Sequence, residues 1–178
     1  MAGRARVFIA TSLDGFIAGE NDDLSWLPPP VPGDDFGFAT FLSQTGALLM
    51  GRRTYDVAAG FPGEWAYGER PVLVPTRRPL TPKVPSVRAV SGPITELVAQ
   101  AKEAANGLDV YLDGGDVIRQ AHDAGLVDEL TVTVVPVILG RGYPLFAGVA
   151  QRSALTLLRS APLLGGLVQL TYVPARPA

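Results

Sequence analysis

The chain has 178 residues, of which 47% are apolar and 18% charged, with a formal net charge of −2. That length buries one sizeable core, and the composition excludes a disordered chain. The slight acidity excludes nucleic-acid binding through bulk charge, and the absence of cysteine excludes disulfides, thiolate metal sites and cysteine nucleophiles. The opening stretch MAGRARVFIATSLDG lacks a signal-length apolar core, and no apolar run approaches the roughly 18 residues that span a bilayer. The expectation is one cytoplasmic domain over residues 1–178, away from membranes.

Short apolar runs alternate with helical patterns. RVFIA (6–10) predicts a first strand, GFATFLSQ (37–44) a helix, and ALLM (47–50) a buried strand. RPVLV (70–74) and SVRAV (86–90) predict two more strands. PITELVAQAKEAA (93–105) predicts a helix with proline in its first turn and Ile94, Leu97, Val98 and Ala101 on one face. LDVYL (108–112) is a strand, and GDVIRQAHDAG (115–125) a helix stopped by glycine. This alternation predicts an α/β fold with a largely parallel sheet between helices. The last third predicts strands without intervening helices, in 128–140 and 154–173. Gly165-Gly166 sits at a hairpin turn, and Val168, Leu170 and Tyr172 alternate with Gln169 and Thr171. WLPPPVPGDD (26–35) reads as an extended rigid loop, and FPGEWAYGERP (61–71) as irregular.

No common nucleotide, zinc-protease or serine-hydrolase signature is present. The single histidine, His122, falls late in a predicted helix, which argues against a Ser-His-Asp triad or a histidine-built metal site. Two glycine junctions remain, LLMGRRTYD (48–56) and LDGGDVI (112–118), each passing from strand to helix. Ligands of parallel sheets sit beyond the carboxyl ends of strands, where helix N-termini aim free N–H groups at anions. PTRRP (75–79) adds Thr76, Arg77 and Arg78 after the next strand. Three consecutive strand ends thus offer glycine, hydroxyl or guanidinium groups, as a diphosphate-bearing ligand requires.

IATSLDGFIA (9–18), LLMGRRTYD (48–56), PVLVPTR (71–77), VYLDGGDVIRQAHDAGLVDEL (110–130) and VVPVILGRGYPLF (134–146) follow one another in the order of the dihydrofolate reductase superfamily. The nearer branch resembles the C-terminal reductase domain of bacterial riboflavin biosynthesis enzymes. The resemblance implies a three-layer sandwich with a C-terminal antiparallel hairpin, an NADPH-dependent reductase and a homodimer. It assigns the cofactor phosphates to Gly51, Arg52, Arg53 and Thr54, and the adenosine end to Thr76 and Arg77. The pyrophosphate falls to Gly114 and Gly115, with Asp116, Val117 and Ile118 opening the helix. Ala10, Ile17 and Ala18 would border the nicotinamide.

For the substrate side the same resemblance nominates Trp26, Asp35, Tyr55 and Val135. Asp35, 16 positions before Gly51, matches the acidic residue that orients and helps protonate a pterin; structurally it can equally be a helix N-cap. The proline-rich loop, and Arg119 where an aromatic is expected after the glycine pair, depart from folate reductases. The implied reaction is hydride transfer to a small heterocycle or imine, either pteridine-like or a ribosylaminopyrimidine. The alternative is a protein that binds NADPH without catalysis.

Overall fold

Strands covered on both faces read as continuous apolar runs, and that is how the centre of this molecule is built. The computed structural model describes residues 3–29 and 34–175. Its first half contains β1 (Ala5–Ser12), β2 (Phe16–Ala18), α1 (Phe38–Ser43), β3 (Thr45–Met50), α2 (Arg52–Gly60), β4 (Val72–Pro75) and β5 (Val87–Val90). The second half contains α3 (Ile94–Ala104), β6 (Asp109–Asp113), α4 (Gly115–Asp123), β7 (Glu129–Val135), β8 (Tyr143–Pro144), β9 (Leu155–Pro162) and β10 (Val168–Pro174). Eight strands form one sheet in the order β5-β4-β3-β6-β1-β7-β10-β9. Neighbours from β5 to β7 are parallel, while β10 runs antiparallel to both β7 and β9.

Alternation along the strands sorts side chains into two cores. Leu49, Leu73, Val110 and Leu112 face Leu97, Val98 and Ala101 of α3 and Val117, Ile118 and Ala121 of α4. Leu48, Met50, Val72, Val74 and Tyr111 face the other way, against Phe41 of α1 and Tyr55 of α2. Aromatic edges dominate that second core: Tyr111 meets Phe41 at 5.0 Å between ring centroids, nearly perpendicular, a favoured quadrupole arrangement. The result is a three-layer α/β sandwich with a mixed, mostly parallel sheet and a C-terminal antiparallel hairpin, as expected.

Three features differ from expectation. The strand read over 128–140 stops at Val135, because Asp14 draws the next segment away by accepting hydrogen bonds from the Leu139 and Gly140 amides at 3.1 and 2.7 Å. The small antiparallel ribbon of β2 and β8 has no counterpart in the sequence pattern, since two or three residues carry no periodicity. In β10 the alternation is inverted: Gln169 is buried and Val168 exposed. Gln169 Nε2 donates to the Phe36 carbonyl at 3.0 Å and to Thr133 Oγ1 at 3.1 Å, so segment 34–36 lies over this face and supplies the polar partner burial demands. Residues 30–33, part of the expected rigid loop, lie outside the described residues.

Candidate ligand cavity at the strand ends

The two glycine junctions meet. Gly51 N donates to the Asp113 carbonyl at 2.9 Å, which ties the end of β3 to the end of β6. α2 and α4 start from there, each nine residues long, with Gly51 and Gly114 as N-caps that offer no side-chain hydrogen bond. Their first N–H groups therefore keep their capacity for a ligand. Gly114 has φ +91°, and a Cβ placed on it would stand 2.4 Å from Thr54 Oγ1; only glycine fits. A Cβ on Gly115 would meet Arg119 Nη1 at 2.9 Å and Ile17 Cδ1 at 3.1 Å. Around this floor opens a cavity of about 590 Å³, within the range of small-molecule and cofactor sites.

Most of the residues nominated for the cofactor line it. Ala10, Ile17 and Ala18 form an apolar side with Ile9. Gly51, Arg52, Arg53 and Thr54 come from the β3–α2 junction, and Gly114, Gly115, Asp116 and Val117 from the β6–α4 junction. Three stand apart. Ile118 is fully buried in the core beneath α4. Thr76 acts through Arg52, whose Nη1 donates to Thr76 Oγ1 at 3.2 Å. Arg78 rather than Arg77 reaches the lining.

None of the four substrate nominees lines the cavity. The Tyr55 hydroxyl donates to the Thr81 carbonyl at 3.2 Å and accepts from the Lys83 amide at 2.8 Å, fixing the 81–83 loop. Trp26 bonds the Asp23 carbonyl at 3.1 Å, and its neighbours Leu24 and Leu27 line the cavity instead. Val135 is buried at the end of β7. Asp35 is exposed, and its carboxylate accepts from the Gly37 amide at 3.0 Å and from the Ala39 amide in the first turn of α1. Asp34 likewise accepts from the Phe36 amide at 2.9 Å. Both acids thus organise the turn that leads into α1, though the N-cap position itself is taken by Gly37.

Besides Asp22 and the nominated Asp116, the cavity is lined by a buried acid that the sequence did not single out. Asp113 closes β6 and is buried; its Oδ1 accepts from the Gly114 amide at 2.8 Å. The hydroxyls of Tyr111 and Tyr67 lie against it. Burial pushes its carboxyl up to about 6, against the lowering effect of the Gly114 amide and the two hydroxyls. The Tyr111 hydroxyl also donates to the Phe8 carbonyl at 2.7 Å. Burial likewise raises both tyrosine hydroxyls, with Asp113 adding to the shift. The available signal was an acid immediately before a glycine pair at a strand end.

The rim is held by ion pairs that spacing could not show. Arg53 pairs with Asp22 at 2.5 Å and its guanidinium stacks 4.0 Å above the Tyr143 ring, which joins α2 to the loop after β2 and to β8. Arg119 donates to the Pro144 carbonyl at 2.9 Å, so the residue replacing the expected aromatic anchors β8 to α4. At the far end of α4, His122 contacts Ser153 Oγ at 2.7 Å and Asp123 Oδ1 at 3.2 Å. Asp123 also accepts from the amides of Ala150 and Gln151 at 3.0 Å, so this trio clasps the 150–153 segment. Among the described residues no cluster of three potential metal ligands occurs, and no helix is long and apolar enough to cross a membrane.

A glycine floor that excludes a Cβ at Gly114, two helix N-termini without side-chain caps and a cationic wall fit a diphosphate-bearing ligand. Comparison with known proteins agrees with this geometry. Residues 5–168 match the RibD C-terminal domain family. The uncharacterized protein YyaP of Bacillus subtilis (strain 168) is 31% identical over 182 residues, covering 92% of this chain and 91% of the relative. A Shewanella sp. PV-4 protein named for riboflavin biosynthesis has a crystal structure that superposes with a TM-score of 0.86 at 34% identity, covering 99% and 100% of the two chains. Dihydrofolate reductase from Enterococcus faecalis shares the fold, with a TM-score of 0.68 at 19% identity and 99% coverage of both chains. The chain is a member of the RibD C-terminal domain family, built on the dihydrofolate-reductase fold.

Proposed function

We propose that the protein is an NADPH-dependent reductase acting on a small heterocycle or imine, a ribosylaminopyrimidine or a pteridine. The observation that carries this reading is the glycine cradle of Gly114 and Gly115 facing the arginine wall across one cavity, in a member of a family that includes riboflavin-biosynthesis reductase domains. The solved Enterococcus faecalis enzyme of this fold was complexed with NADP(H). When bound, the dinucleotide supplies the hydride. The chain's own residues do the rest. The first-turn amides of α4 and α2 hold the diphosphate, Arg52 and Arg78 face the adenosine end, and Ile9, Ala10 and Ile17 exclude water. Asp113 holds a proton at its carboxyl oxygen, and its position near 6 lets it release that proton at neutral pH.

The test is oxidation of NADPH, followed by absorbance, across pterins, ribosylaminopyrimidine phosphates and quinones. Turnover on one heterocycle class supports the reading; no NADPH binding at all refutes it. A second reading, a dinucleotide-binding protein without catalysis, is favoured by one observation, that Trp26, Asp35 and Tyr55 are all committed elsewhere. Tight NADPH binding with no turnover on any acceptor selects it.

We also propose a cytoplasmic homodimer formed through β9. This edge strand is exposed along nearly its whole length, and Leu155, Leu157 and Leu158 are 43%, 50% and 57% exposed. A bare apolar edge strand invites pairing unless covered, and a second copy covers it. Light scattering that reports a monomer at micromolar concentration refutes the dimer.

A further inference from the structure

The cationic wall contains its own counter-ion. Arg52, only 20% exposed, donates Nε to Asp56 Oδ1 at 2.8 Å and Nη1 to the Pro79 carbonyl at 3.0 Å. Arg78, 69% exposed, turns Nη2 toward the other oxygen of the same carboxylate at 3.5 Å. One acid, a helical turn beyond Arg52, thus stands between the two guanidiniums that line this side of the cavity. The stretches GRRT and PTRR contain no acid, but the fold brings one against both.

We propose that Asp56 sets how strongly the cavity distinguishes a dinucleotide phosphorylated on its adenosine ribose from one with a free hydroxyl there. The inference rests on the reading that this cavity takes a nicotinamide dinucleotide. Guanidinium groups favour the phosphate through charge-assisted hydrogen bonds, whereas a carboxylate in the same place favours ribose hydroxyls. Arg52 and Arg78 against Asp56 leave a local charge of +1 (two cations less one anion). Asp56 subtracts one charge where a phosphate brings nearly two, and at solvent-screened separations that repulsion amounts to about tenfold in affinity. The plainer role, an i,i+4 ion pair steadying α2, predicts no change in cofactor ratio.

The experiment is a calorimetric titration of NADPH, NADH and 2′,5′-ADP into the wild-type protein, Asp56→Asn, Asp56→Glu and Arg78→Ala. Asparagine keeps an acceptor for Arg52 Nε and removes only the charge. Asp56→Asn should tighten NADPH and 2′,5′-ADP about tenfold and leave NADH within about twofold. Asp56→Glu should restore the wild-type ratio, and Arg78→Ala should shift it toward NADH. An unchanged NADPH-to-NADH ratio in Asp56→Asn, with both dinucleotides bound by the wild type, overturns the role of Asp56 alone. A wild-type protein that binds neither dinucleotide overturns this role and the reductase reading together.

Discussion

Strand β6 begins and ends in aspartate, and the two carboxyls are treated in opposite ways. Asp109, at the amino end, sits in a network with Arg4, Arg6 and Glu129, with N···O distances of 3.1 Å to each arginine. Burial pushes its carboxyl up, but hydrogen bonds from the Arg4 amide and guanidinium and from Arg6 outweigh that and hold it below the usual range. Asp113, at the carboxyl end, has no guanidinium against it in any ion pair among the described residues, and burial wins. At one end of the sheet the ion pairs close over the strand ends themselves; at the other they stand at the rim and leave helix N-termini without side-chain caps around a cavity. The difference separates the end that stabilises from the end that binds.

The largest effect should come from breaking the ion-paired end. Arg6 is 11% exposed and contacts both Asp109 and Glu129. Replacing it by methionine leaves Asp109 and Glu129 with the half-exposed Arg4 alone, at a cost of about 3 kcal/mol, the lower end for breaking a buried pair. That is a fall in Tm of roughly 6–12 °C for a chain of this size. Ligand affinity in the variant should stay within about threefold, since the cavity is at the other end. A thermal melt and an NADPH titration on the same sample check both halves.

Next comes the cradle. Gly114→Ala forces a Cβ against Thr54 Oγ1 and a side chain into a left-handed conformation. It should cost about 1–3 kcal/mol of stability and at least about tenfold in NADPH affinity. Affinity unchanged in a folded variant would remove the cradle from the binding site.

The third effect sets the two acids against each other by pH. Asp113 has its folded pKa raised to about 6, above an unfolded value near 4. Its contribution is fully present below about pH 4 and is lost as pH rises through about 6, an amount on the order of 3 kcal/mol. Asp109 has its folded pKa depressed, so its contribution is present above about pH 4 and lost as pH falls further. Asp113→Asn mimics the protonated acid. It should flatten the stability loss between about pH 4 and 6.5 in denaturant melts, while Asp109→Asn should leave the slope across that window unchanged and weaken the protein throughout it. A wild-type stability that does not fall between about pH 4 and 6.5 would contradict the account of Asp113.

The contrast also explains what the sequence made legible. Apolar runs such as 47–50 and 110–112 announce a sheet covered on both faces, and glycine after an apolar run announces a strand end where backbone is left bare. Both are local statements. Which side chains reach a cavity is not local. Asp56 meets Arg78 only because β3 and β4 are adjacent, and Asp113 is buried only because Tyr67 folds over from a segment without periodicity. Gln169 reverses the expected facing of β10 because a distant carbonyl at Phe36 needs a donor. Single-residue roles therefore emerge with the tertiary contacts, whereas the sheet and its binding end emerge before them.

The smallest effect concerns Asp35, the acid that spacing nominated for proton transfer. Its two oxygens accept from the Gly37 and Ala39 amides, which neutralises orphan donors at the start of a six-residue helix. Losing such a cap costs about 1 kcal/mol, a Tm change of roughly 2–4 °C. Asp35→Asn keeps one acceptor oxygen and should lose less than Asp35→Ala. A capping role moves stability and leaves the pH profile of turnover where it was. A proton-transfer role instead lowers turnover by about 100-fold in both variants, with little change in Tm. Asp113→Asn under the same assay is the reference, because it removes the buried acid that lines the cavity. Should Asp35→Asn abolish turnover while Asp113→Asn leaves it intact, segment 34–37 must swing over the cavity during the reaction, and the assignment of the proton to β6 fails.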